Sequence, residues 1–81
     1  MAEAWQEVDG ALYKKFVFAN FAEAFGFMTR VAATAEAQNH HPDWSNSWNV
    51  VEIFLRSHDK GGKVTDRDIR LAAAIDELQQ S

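Results

Sequence analysis

Eighty-one residues with a formal net charge of −4 suffice for one domain, residues 1–81, and leave no room for a second. The eight Lys and Arg are scattered along the chain, which disfavours direct nucleic-acid binding because phosphate neutralisation needs a basic face. Cysteine is absent, so disulfides and thiolate metal sites are excluded, and no apolar run approaches the ~20 residues of a membrane span.

The N-terminus, Met1-Ala2-Glu3-Ala4-Trp5, has neither a basic nor an apolar leader region, so no signal peptide is expected and the chain reads as soluble and cytoplasmic. Trp5 to Val8 is a short strand candidate. After the Asp9-Gly10 turn signal, residues 11–18 are aromatic and aliphatic and read as its partner, which gives an N-terminal hairpin. Asn20 has the character of an N-cap, and Glu23 three residues on completes a capping-box pattern. From there Phe21, Ala24, Phe25, Met28, Val31, Ala32 and Ala35 follow helical spacing and predict an apolar face. Gly26 costs that helix up to ~1 kcal/mol relative to Ala and suggests close packing against a neighbour. Pro42 disfavours helical geometry at His41, so the helix is expected to end near Asn39.

Asp43 to Trp48 and the β-branched run Val50 to Arg56 read as two strands joined by a tight turn around Asn49. A polar glycine loop follows over residues 58–63. Thr65 resembles a second N-cap, with Asp66 and Asp68 suited to the positive end of a helix dipole. Ile69, Ala72, Ala73, Ile75 and Leu78 predict the apolar face of this last helix. The order β-β-α-β-β-α implies an α+β fold, an antiparallel sheet with helices packed on one face. A chain this short buries only about 60% of its unfolded surface. Its six phenylalanines are too many for one small core, so self-association is expected.

Chemistry concentrates in the three histidines, His40, His41 and His58, which lie at the end of a helix and just past the end of a strand. Four readings are open. They can be surface loop residues. His40 and His58 with Glu36 can form a two-histidine, one-carboxylate metal set, although the usual HxxxH or HxH spacing is missing. As imidazoles titrating near ~6.5, they can supply a proton donor and acceptor at neutral pH. Nucleophilic catalysis lacks a cysteine or a recognisable activated serine. Glu36 lies one helical turn before His40 and would share its face if the helix persisted that far. Gly61-Gly62 fits a structural turn better than a phosphate loop. Of the tryptophans, Trp5 suits stacking on a flat heterocycle as well as packing, whereas packing, in the core or at an interface, is the expectation for Trp44 and Trp48.

The string Glu36-x-x-x-His40-His41-Pro42-Asp43-Trp44, followed by Trp48, His58-Asp59 and Thr65-x-Arg67-Asp68, resembles the pterin-4a-carbinolamine dehydratase family. Phe25-Gly26-Phe27-Met28-Thr29-Arg30-Val31-Ala32 is similar to that family's central helix, and the resemblance runs from about Trp5 to Leu78. Two departures stand out. The family usually has another helix before the first strand, here absent or truncated, and some relatives carry Asp where this chain has Asn39.

The resemblance implies a four-stranded antiparallel sheet backed by helices, assembled as a homodimer or homotetramer. It implies a cofactor-free hydro-lyase acting on 4a-hydroxytetrahydropterin, the product left by an aromatic amino acid hydroxylase, and forming quinonoid dihydropterin in tetrahydrobiopterin recycling. Cleavage of the C4a–O bond needs a proton delivered to the hydroxyl and one removed from N5, which imidazoles can do without metal or redox chemistry. On this footing His40 and His58 are expected to be the proton-transfer pair and His41 to hold the pterin. Glu36 would orient a histidine or bind the amino-pyrimidine edge, while Asn39, Ser57, Asp59 and Trp5 would complete the substrate pocket. The rival implied by other relatives is a non-catalytic dimerisation or assembly cofactor that binds another protein. Retention of Glu36, His40, His41 and His58 together favours the enzyme. A metal-dependent hydrolase is a further rival.

Overall fold

Asp9 and Gly10 both take positive φ, 51° and 79°, the backbone that a two-residue hairpin requires to match strand twist. They join β1 (Gln6–Val8) to β2 (Ala11–Val17), with Val8 opposite Ala11. The computed structural model describes residues 4–57 and 61–80. Its remaining elements are α1 (Phe21–Gln38), β3 (Asp43–Ser47), β4 (Val50–Leu55) and α2 (Asp66–Gln80). The four strands form one antiparallel sheet in the order β1-β2-β4-β3. This is the α+β arrangement that the sequence implies.

Period-two alternation decides which sheet face is buried. Phe16 pairs with Val51, Lys14 with Ile53 and Leu12 with Leu55, and these residues point toward the helices. Phe16, Val51, Ile53 and Leu55 are buried with Phe27 and Val31 of α1 and Leu71 and Ile75 of α2. Each such side chain stabilises the fold by roughly 1.5–3 kcal/mol.

The capping box at α1 forms with one change. Asn20 Oδ1 accepts from the Glu23 N–H at 2.9 Å, but Glu23 Oε1 reaches back to the Ala19 N–H at 3.3 Å. The buried stripe of α1 is Ala24, Phe27, Val31 and Ala35. Phe21, Phe25 and Ala32, expected on the apolar face, are exposed, because packing against the sheet uses a narrower stripe than the apolar residues span. Gly26 does not serve close packing either. A Cβ there would meet only the Arg30 guanidinium, at 3.9 Å.

The β3–β4 turn carries Trp48. Trp48 has φ 53° and is 67% exposed, so it packs into no core of this chain, whereas Trp44 packs against the core as expected. Asn46 Nδ2 secures the turn by donating to the carbonyls of Trp48 and Val50 at 3.1 and 2.9 Å.

On α2 the inward residues are Asp68, Leu71, Ala72 and Ile75. Ile69 and Ala73, expected to be apolar contacts, face outward because the buried stripe begins at Asp68 and runs one position out of phase with them. A polar tie joins α2 to β2. The nearly buried Lys14 ammonium meets Asp76 at 2.9 Å and lies 5.1 Å from the Phe16 ring centre.

Candidate active site

Helix α1 ends at Gln38 because Asn39 turns left-handed, φ 53° and ψ 42°. Asparagine tolerates this region better than most residues. The Asn39 N–H folds back to the Glu36 carbonyl and the His40 N–H to the Ala35 carbonyl, both at 3.1 Å, a six-to-one helix ending. The reversal breaks the face that Glu36 and His40 would have shared. Glu36 pairs instead with His41, 2.9 Å from Oε1 to Nε2, in an exposed position.

His40 turns inward and is only 6% exposed. Its Nε2 lies 2.5 Å from Asp68 Oδ1, and Asp68 has no exposed surface. The other carboxylate oxygen, Oδ2, accepts from Ser57 Oγ at 2.9 Å and from the Thr65 N–H at 2.8 Å. Ser57 Oγ is also 2.6 Å from Thr65 Oγ1. Thr65 and Asp68 thus close the cap of α2 reciprocally, since Thr65 Oγ1 accepts from the Arg67 N–H at 3.3 Å.

Electrostatics follow from this satisfaction. Burial by itself would raise the Asp68 pKa, but hydrogen bonds from His40, Thr65 and Ser57, with the attraction of His40, outweigh it and hold the carboxyl below its ordinary value. An ionised Asp68 can only accept, so it orients the His40 ring with Nε2 toward Oδ1.

Asp68 also links two junctions of the chain. One oxygen holds the histidine turn after α1, and the other holds Ser57, the residue before His58. The Ser57 N–H donates to the Lys63 carbonyl at 2.9 Å, and the Ser57 carbonyl accepts from the Gly62 N–H at 3.1 Å. With this geometry in place, the whole-chain comparison is decisive: residues 1–78 match the family model for pterin 4 alpha carbinolamine dehydratase. The chain belongs to that family.

Relatives agree. A Rhodopseudomonas palustris (strain HaA2) protein named "Putative pterin-4-alpha-carbinolamine dehydratase" is 55% identical over 76 residues, covering 91% of this chain and 74% of its own. A protein of the same name from Solibacter usitatus is 51% identical over 75 residues, 93% of this chain and 78% of its own. Among solved structures, a transcriptional coactivator/pterin dehydratase from Brucella melitensis superposes with a TM-score of 0.86 at 39% identity, covering 91% of this chain and 80% of that one. A pterin dehydratase-like protein identified as a RuBisCO assembly factor of the alpha-carboxysome gives 0.80 at 25% identity, covering 94% and 89%.

Within this carbinolamine dehydratase family member, the residues expected at the site fall into distinct places. His40, His41, Glu36 and Asn39 gather at one turn. Ser57 is buried and donates from Oγ to Asp68. Trp5 has the contacts of a packing residue: its ring meets Phe16 edge-on at 5.9 Å, and its indole N–H is 3.1 Å from both Asp76 oxygens. His58 and Asp59 lie outside the described residues, so the metal set that includes His58 lies partly outside them too; among the described residues, no group of three His, Asp or Glu is placed to hold a metal. Likewise, no described helix is long and apolar enough to cross a membrane.

Thr65 takes the N-cap role its sequence suggests, but Asp68, expected only to suit the helix dipole, is also the buried partner of His40. Their signal was present: Thr-x-x-Asp is a capping pattern, and an acid on the stripe 68, 71, 72, 75 is an acid facing the core.

Proposed function

We propose that this protein is a cytoplasmic hydro-lyase that dehydrates 4a-hydroxytetrahydropterin to quinonoid dihydropterin by histidine general acid–base catalysis, in recycling of the pterin used by an aromatic amino acid hydroxylase. The observation that carries this reading is the tie through Asp68, which fixes His40 and the residue before His58 on one carboxylate within a chain of the dehydratase family. The reaction needs one proton placed on the 4a-hydroxyl, which leaves as water, and one taken from N5.

Exposure supports a different division of the work from the His40–His58 pair that the resemblance implies. His40 has its Nε2 engaged by Asp68, which suits it to shape and polarise the turn. His41 is the accessible imidazole there, with a 59% exposed side chain that meets Glu36 at the surface. The assignment that fits best pairs His41 with His58 for proton transfer and gives His40 the supporting role. Asn39 and Asp59 would border the pterin. General acid–base assistance of this kind contributes ~10²–10⁴-fold. Replacing His41 with Ala should therefore lower kcat for carbinolamine dehydration by about a hundredfold. An unchanged rate in both His41→Ala and His58→Ala would remove the proposal.

A second reading has its own observation. Phe21 and Phe25 are 48% and 55% exposed, with ring centres 5.9 Å apart on the outer face of α1. Such a face suits protein binding. It supports assembly of this chain as a homodimer or homotetramer, and also the alternative of a non-catalytic dimerisation or assembly cofactor; the carboxysomal neighbour is a RuBisCO assembly factor. Retention of Glu36, His40, His41 and His58 favours catalysis.

A further inference from the structure

The first residues of α2 hold the end of α1 at two consecutive positions. Asp68 takes the His40 ring, and Arg67 Nη2 donates to the Asn39 carbonyl at 2.6 Å. The Asn39–His40 peptide is thereby fixed on both sides, its carbonyl by Arg67 and its N–H by the Ala35 carbonyl at 3.1 Å. Carbonyls at a helix C-terminus lack intrahelical partners and carry the negative end of the macrodipole. A cation there is stabilising, yet the last turn of α1 has no basic residue and contains Glu36. Arg67 brings the missing cation from the neighbouring helix.

The consequence falls on His41. Its side chain pairs with Glu36 at the surface, and such exposed pairs hold geometry weakly. The backbone before it must set where its ring stands. We infer that Arg67 is a positioning residue for the histidine turn, locking the Asn39–His40 peptide and through it the placement of the His41 imidazole. This inference rests on the dehydratase reading for its effect on rate, but the lock itself does not depend on it. Lysine can donate to the same carbonyl with a point charge, although without the planar fork.

The test uses the full chain with Arg67→Gln and Arg67→Lys. Three things are measured: the His41 ring resonances by NMR, kcat and KM for dehydration of 4a-hydroxytetrahydropterin, and the melting temperature. The expected result for Arg67→Gln is displaced His41 resonances and a kcat lower by about tenfold with KM little changed, since small misplacement costs rate before binding. Arg67→Lys should recover most of that kcat. Unchanged His41 resonances in Arg67→Gln would overturn the lock. So would a raised KM at unchanged kcat, which would make Arg67 a substrate contact, or a loss of kcat that only tracks the melting temperature and is not rescued by lysine. A wild-type chain inactive on the pterin would remove the functional reading, and the His41 resonances would still decide the role of Arg67.

Discussion

His40 Nε2 and Asp68 Oδ1 lie 2.5 Å apart although 28 positions separate the two residues in the chain. The pair joins the end of one helix to the start of the other, and both side chains are withdrawn from solvent. A carboxylate in that position is tolerable because each oxygen is satisfied, Oδ1 by His40 and Oδ2 by Ser57 and the Thr65 N–H.

Removing the carboxylate should expose how much depends on it. Asp68→Ala leaves His40, Ser57 and the Thr65 N–H without their shared partner, and breaking a buried pair of this kind costs about 3 kcal/mol. Urea unfolding should show a lower midpoint. An unshifted midpoint would mean that the ties contribute nothing net.

The same group sets an acid limit. The folded pKa of Asp68 is depressed, so the unfolded chain takes up its proton first, near ~3.9. The stability from Asp68 is therefore fully present above that pH and is lost as pH falls through the lower folded value. Thermal melts of wild type and Asp68→Asn across this acid range should converge as pH drops, the wild type losing more. Parallel curves would contradict the assignment.

Asn39 offers a backbone test. Its φ of 53° is a conformation that glycine adopts freely, so Asn39→Gly should change stability by a few tenths of a kcal/mol at most. Asn39→Val should cost about 1–2 kcal/mol, because a β-branched residue clashes there. Equal melting temperatures for the two variants would show that the left-handed turn is not maintained in solution.

The outer face of α1 makes a separate claim. Phe25 is half exposed, so Phe25→Ser should leave the circular dichroism of the protomer unchanged. If that face is where copies of this chain associate, sedimentation should show a smaller assembly at equal concentration. An unaltered assembly would place the contact elsewhere.

What could be read from sequence was local. The Asp9-Gly10 hairpin, the Asn20 cap and the end of α1 near Asn39 each depend on a few neighbouring residues, and each stands where the pattern put it. What could not be read depends on tertiary packing. Ile69 and Leu71 are equally apolar, and only the angle at which α2 meets the sheet buries the second and exposes the first. Glu36 and His40 satisfy helical spacing, but one left-handed residue between them hands Glu36 to His41. Asp68 as partner of His40 required the topology, since nothing local points across such a separation.

Most directly, the central claim is tested by stopped-flow measurement of 4a-hydroxytetrahydropterin loss in the presence of catalytic amounts of this protein. Acceleration over the spontaneous reaction, abolished together by His41→Ala and His58→Ala, is the predicted result. A rate equal to that in protein-free buffer would contradict the dehydratase reading and leave the α1 face as the functional surface.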